Sequence, residues 1–145
     1  MRISTRGRYA LRAMVDLAQH GDKGPVSRQD ISERQEISAD YVAQLFRHLQ
    51  SAGLVEGVKG PGGGYRLLRD PSQIRAGDVV RAVEGPVAVV HCTLPCPDEG
   101  PACRRVDHCV THHLWKRVSD AVTKVLDSVT LRDLADEAVQ LADER

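Results

Sequence analysis

The chain has no long apolar run, no net charge and none of the short fingerprints of nucleotide or nucleophilic chemistry. Each absence excludes something. No stretch approaches the roughly 20 apolar residues that a bilayer-spanning helix needs, so membrane partners are not expected. The start, MRISTRGRYALRAM, is charged and helically patterned and lacks the unbroken apolar stretch of a secretion signal. A cytoplasmic protein is the expectation. In that reducing compartment the four cysteines, Cys92, Cys96, Cys103 and Cys109, read as ligands or redox sensors and not as a disulfide framework. The glycine-rich stretch GPGGGYR, residues 60–66, is followed by an aromatic and a strand-like run. A phosphate-binding loop would continue into lysine, a hydroxyl residue and a helix. With no dinucleotide fingerprint and no nucleophile-base constellation either, the sequence does not read as an enzyme.

What is present is ordinary in amount and uneven in distribution. The 145 residues, 41% hydrophobic and 28% charged, suit one domain, or a domain with an appendage, that buries a real core. The zero net charge hides a split, since residues 1–70 hold 11 Lys/Arg against 8 Asp/Glu and residues 71–145 hold 9 against 12. Basic charge gathers at the front, in Arg2, Arg6, Arg8 and Arg12, with no acid among the first twelve residues.

Periodicity organises that front half. Tyr9, Ala10, Ala13, Met14, Leu17 and Ala18 recur at helical spacing and predict a helix over roughly residues 5 to 20, with Gly21 at its end. Ser27, with Asp30 three residues on, has the pattern of a capping box and opens a short helix over about 28 to 35. After a tight connection at Glu36 and Ile37, Ser38 caps a third helix whose apolar stripe is Val42, Leu45, Phe46 and Leu49, closed by Gly53. A short helix, a turn and a longer helix make a helix-turn-helix. The period then changes: LVEGVK and YRLLR are strand-like runs on either side of Gly60 to Gly64, a hairpin with glycine wherever positive φ is demanded. The predicted fold class is therefore mainly α with a small β-hairpin wing, a winged helix-turn-helix. Gly60, Gly62 and Gly63 bare the wing tip for close approach to a nucleic-acid backbone or minor groove, and Lys59 and Arg66 flank it with charge.

The cysteines fall in HCTLPCPDEGPACRRVDHCVTHHLW, a C-x3-C-x6-C-x5-C pattern with His91, His108, His112 and His113 nearby. Thiolates in a loop containing proline and glycine can wrap an iron-sulfur cluster without a large fold. Zinc is the chemical rival, although structural zinc sites favour paired C-x2-C knuckles and no gap here has that spacing. A dithiol switch through Cys92 and Cys96 is the third reading.

Taken together, MRISTRGRYALRAM, ISERQEIS, YVAQLF, GLV, GPGGGYRL and the segment CVTHHLW resemble the IscR/NsrR/CymR-type family of winged-helix transcription regulators, over roughly residues 1 to 130. The resemblance implies a homodimer on a double-stranded DNA operator that senses cluster supply, redox poise or nitric oxide through an iron-sulfur cluster, 2Fe-2S favoured over 4Fe-4S. It implies base reading by Tyr41, Gln44 and Asp40 on the helix capped by Ser38, with Arg2, Arg6 and Lys59 on phosphates and Gly60, Gly62, Gly63 and Arg66 at the wing. It also implies three cysteines and one histidine as ligands: Cys92, Cys103, Cys109 and His112, with Cys96 the alternative upstream ligand and an all-cysteine set standing beside it. Two departures are visible. Position 43 is alanine where the iron-sulfur regulator has glutamate, and positions 8 and 12, where other relatives lend a carboxylate, are arginines.

Downstream, Leu114, Val118, Ala121, Val122, Val125 and Val129 form a stripe that is core by default and, by the resemblance, a surface for a second copy. Thr130 with Asp133 opens a last helix, and LADER reads as a frayed end. The expected organisation is a DNA-binding domain over 1–70, a connecting segment with a short helix over 71–90, a cluster loop over 91–112, and a dimerisation helix with a C-terminal helix over 113–145. A cluster-bearing electron carrier remains the reading of a different class, although a carrier has no use for a winged helix.

Overall fold

The computed structural model describes residues 3–94 and 104–144. Six helices and one hairpin follow in the order α1 (Thr5–His20), α2 (Arg28–Gln35), α3 (Ala39–Ser51), β1 (Val55–Val58), β2 (Gly64–Leu67), α4 (Ala76–Glu84), α5 (Val110–Asp127) and α6 (Leu131–Asp143). The fold is mainly helical with a two-stranded antiparallel wing. No helix among the described residues is long and apolar enough to cross a membrane.

Local chemistry starts and stops these elements. Ser27 accepts from the backbone of Asp30 at 3.0 Å and Ser38 from that of Tyr41 at 3.2 Å, so each hydroxyl satisfies an amide the first turn leaves free. Thr130 and Asp133 complete a reciprocal capping box, with bonds of 3.1 and 2.9 Å. Leu131 and Ala135 of α6 are buried, and the helix runs to Asp143. Leu141 to Asp143 of LADER form the exposed last residues of this helix. The turn from α2 to α3 bends through Glu36 in the left-handed region, φ 56°.

The apolar stripes of α1 and α3 face one another, so Met14, Leu17, Leu45, Phe46 and Leu49 are fully or almost fully buried. Asp16, fully buried, fastens α1 to α2: Arg34 donates two hydrogen bonds to its carboxylate, of 2.9 and 2.8 Å, and Gln35 adds a third of 2.9 Å. The core continues past residue 70. Ile74, Val79 and Val83 from the α4 region and Leu131 and Ala135 from α6 belong to the same apolar cluster, and α4 and α6 both pack on α1. At the start of α1, Glu84 from the end of α4 accepts hydrogen bonds from the Ser4 amide at 3.0 Å and the Gly7 amide at 3.3 Å. Gly7 permits that approach, since a Cβ there would stand 2.9 Å from the Glu84 carboxyl group.

The wing is locked to the helix-turn-helix. Val55 pairs with Leu67, Glu56 with Arg66, Gly57 with Tyr65 and Val58 with Gly64, so Gly64 belongs to β2 and not to the loop. Val26 extends the pairing on the other side of β2, exchanging two backbone hydrogen bonds of 2.9 and 2.8 Å with Tyr65. The Tyr65 ring then stacks on Phe46 of α3, centroids 4.2 Å apart at 27°, an arrangement worth about 0.5 to 1.5 kcal/mol beyond the area it buries.

α5 begins at Val110, three residues before the expected boundary at 113, and is pinned to α4 where Arg81 meets Asp127 at 2.7 Å. Its outer face is bare: Val110, Leu114, Trp115 and Val125 are all exposed, Trp115 to 36%.

Candidate nucleic-acid interface and metal centre

α3 presents Ser38, Asp40 and Gln44 to solvent while its opposite face is core. Tyr41 is half-buried, its ring perpendicular to Tyr9 of α1 with centroids 6.0 Å apart. Arg8 and Arg12 stand over the Tyr9 ring at 5.9 and 5.3 Å, and Arg12 also donates to the Gln35 carbonyl at the end of α2. The Tyr41 ring thus packs edge-on against Tyr9 of α1 while staying partly open to solvent. Arg47, one turn beyond Gln44 on α3, is exposed as well. Helical spacing from Asp40 and Gln44 could have found it, since positions three or four apart share a face.

Lys59 is exposed where β1 enters the wing tip. It lines a cleft of about 380 Å³ together with Arg28, Gln50 and Tyr65, so two cations meet at the junction of α2, α3 and the hairpin. Sequence reasoning missed Arg28, because only the Val26–Tyr65 pairing brings the start of α2 to the wing. Arg66 is placed differently. Its Nε donates to Glu56 at 2.7 Å across the hairpin, which offsets its charge. Arg6 turns toward α4 and donates to the Val83 carbonyl at 3.2 Å. Arg2 lies outside the described residues.

The tip glycines divide by cause. Gly60 and Gly62 adopt φ of 92° and 76° with open space around them, a conformation that excludes ordinary side chains. Gly63 is required by the chain itself, because a Cβ there would collide with the Val58 carbonyl.

The cysteine segment reaches α5 from two directions. Cys92 sits in the short turn His91–Thr93, and Cys109 precedes the first residue of α5. His112, in the first turn of α5, brings its Nδ1 to 3.3 Å from the Cys92 Sγ. The Cys109 Sγ lies 3.1 Å from the Thr111 hydroxyl. That contact, followed by the backbone amide of His112, holds the Cys109 thiol below the usual thiol range and favours thiolate, the form that binds metals. Cys96 and Cys103 lie outside the described residues. Among the described residues, no three of His, Cys, Asp and Glu gather as a metal site. The convergent pair is Cys92 with His112, and its donors, one sulfur and one imidazole nitrogen, fit iron-sulfur chemistry and zinc alike.

Comparison with known proteins agrees with this architecture. The family described as Rrf2, iron-dependent transcriptional regulator, matches residues 3–137. The chain is 43% identical over 145 residues to the HTH-type transcriptional regulator IscR of Pectobacterium atrosepticum, covering 99% of itself and 85% of that protein. Against the IscR of Serratia proteamaculans the identity is 46% over 134 residues, 92% of this chain and 79% of that one. Among solved structures, CymR, the global cysteine regulator of B. subtilis, superposes with a TM-score of 0.75 at 42% identity, over 94% of this chain and 98% of that chain. The IscR of T. potens superposes with a TM-score of 0.75 at 40% identity, over 95% and 88%.

Proposed function

Because the chain belongs to the Rrf2 family and is a DNA-binding transcription regulator of the IscR type, we propose that it is a cytoplasmic homodimer that reads an operator with α3 and the wing and is switched by an iron-sulfur cluster. Two copies of α3 enter successive major grooves about 34 to 36 Å apart. Gln44, Tyr41 and Asp40 read base edges, and Ser38 stands at the groove end of the helix. Lys59, joined by Arg28 in the same cleft, takes backbone phosphates, with Arg2 and Arg6 as further cations. Gly60, Gly62 and Gly63, flanked by Arg66, carry the tip along the backbone or minor groove.

The ligands are Cys92, Cys103, Cys109 and His112, with Cys96 as the alternative upstream thiolate. The observation that carries this reading is the 3.3 Å approach of Cys92 to His112 from separate segments of the chain. When bound, a 2Fe-2S cluster supplies a redox-active centre whose gain, loss or oxidation is the signal. The chain provides the route from that centre to DNA. Cys109 and His112 sit at the first turn of α5, and the far end of α5 is clamped to α4 through Asp127 and Arg81 at 2.7 Å. α4 in turn packs on α1 and caps it through Glu84. A displacement at the ligand end of α5 is thus delivered to the core behind α3, and a coupling of about 1 to 3 kcal/mol suffices for a switch. The bare apolar face of α5 supports pairing with a second copy: Val110, Leu114, Trp115 and Val125 are exposed in the chain alone. On this reading residues 1–70 serve DNA, 71–90 connect, 91–112 sense and 113–145 dimerise.

Anaerobic purification with absorbance and Mössbauer spectra, followed by selection from a mixed DNA pool with and without the reconstituted cluster, tests the proposal. The expected result is iron-sulfur absorption and a cluster-dependent enriched sequence. A colourless protein carrying zinc, or one whose DNA binding follows thiol oxidation alone, would replace it.

A further inference from the structure

Among the residues of α5 one alone is buried, and it is polar: Ser119, 5% exposed. Its hydroxyl has two partners in the segment before α5. The Val89 amide donates to Ser119 Oγ at 3.0 Å. Thr93 Oγ1 lies 3.4 Å from the same oxygen and gives its own proton to the Val90 carbonyl at 2.7 Å. The direction of the network follows: Ser119 accepts from Val89 and donates to Thr93. These two partners stand on either side of Cys92. Ser119 also follows His112 by seven residues, two turns of helix, so both project from the same face of α5. Helix propensity does not account for a serine here, since alanine is the better helix former and would bury no polar atom. The loop contacts do account for it.

We propose that Ser119 is a positioning residue for the metal centre: it straps the segment 89–93 onto α5, so that the Cys92 thiol already faces the His112 imidazole before any metal binds. This rests on Cys92 and His112 being ligands. Without the strap, the segment after α4 keeps the short turn His91–Thr93 and the partial burial of residues 87–90, but no hydrogen bond to Ser119 holds it to α5 on either side of Cys92. With it, the placing of Cys92 belongs to the fold. Hydrogen-bonded residues behind metal ligands act in this way, and their removal typically lowers metal affinity about 10- to 100-fold.

The test uses the full chain carrying Ser119→Ala, which deletes one oxygen and leaves α5 intact, beside Thr93→Val and Thr93→Ser. In metal-free protein, amide exchange at Val89 is expected to accelerate in Ser119→Ala while exchange in the core helices stays unchanged. After anaerobic loading with iron and sulfide, cluster loss to a chelator is expected to accelerate about 10- to 100-fold in Ser119→Ala, with a shifted visible band. Thr93→Val should follow it in direction, and Thr93→Ser, which keeps the hydroxyl, should restore wild-type behaviour. If Ser119→Ala fails to fold, the two Thr93 variants decide the matter alone. A wild type that loads normally, beside a Ser119→Ala protein with unchanged Val89 exchange and unchanged cluster loss, overturns the strap. A wild type that takes up no cluster overturns the ligand reading, and the positioning role with it.

Discussion

Arg66 turns its guanidinium across the hairpin onto Glu56, the residue it faces in the strand register. The wing therefore presents Lys59, and the cation nearest to Lys59 in purpose is Arg28, which lines the same cleft. Among the described residues neither has an acidic partner within ion-pair reach. Lys59→Ala and Arg28→Ala should each weaken DNA binding across all sequences and reduce the salt slope by about one unit. Arg66→Ala should leave the slope near wild type. Binding titrations over a range of salt concentrations check this, and an unchanged slope in Lys59→Ala would remove the wing from the DNA.

Base reading has a different signature. Gln44→Ala should relax preference at one base pair in each half-site, costing about 1 to 3 kcal/mol on the selected operator and little on random DNA. Equal losses on both would make Gln44 a backbone contact.

The two ligand sets part at His112. If imidazole ligates iron, His112→Cys should keep a cluster with an altered spectrum and a lower potential, because histidine ligation raises the potential relative to thiolate. If the set is all cysteine, that variant should look like wild type, whereas Cys96→Ala should lose the cluster. Loss in Cys109→Ala serves as the control for both.

Asp16 is a buried carboxylate with three donors on it. Asp16→Ala strands the donors and unties α2 from α1, with an expected loss of about 2 to 3 kcal/mol, below the value for a fully buried pair because Arg34 is partly exposed. Thermal unfolding measures it, and a loss under 1 kcal/mol would show that core packing alone sets the α1–α2 angle.

Glu36 holds a left-handed conformation, φ 56°, at the end of α2. Glycine is the residue such caps favour. Glu36→Gly should stabilise the protein by roughly 0.5 to 1 kcal/mol, the steric relief exceeding the added freedom of the unfolded chain. Denaturant midpoints at constant slope test the sign.

What the sequence makes legible is local. The stripes of α1 and α3, the caps at Ser27, Ser38 and Thr130, and the glycine hairpin are each written within a few residues, where spacing and backbone preference act directly. Partners far apart along the chain are not written there. Asp16 and Arg34 are 18 positions apart, Gly7 and Glu84 77, and Val89 and Ser119 30. Each depends on how helices are stacked. The same distance hid Arg28, which the Val26–Tyr65 pairing brings to the wing. At the candidate metal centre, the sequence supplies donor types and spacing, but the facing of Cys92 to His112 depends on the segment folding back over α5.

Trp115 is the sole tryptophan of the chain, and it stands on the bare face of α5, one turn from His112. The protein thus carries its own optical gauge. Covering that face with a second copy would move the indole from water into an apolar contact and shift its emission to shorter wavelength as concentration rises. An iron-sulfur chromophore held a few ångströms away would instead quench the emission without shifting it. Dilution and cluster loss can then be followed separately in one cuvette, with no label attached.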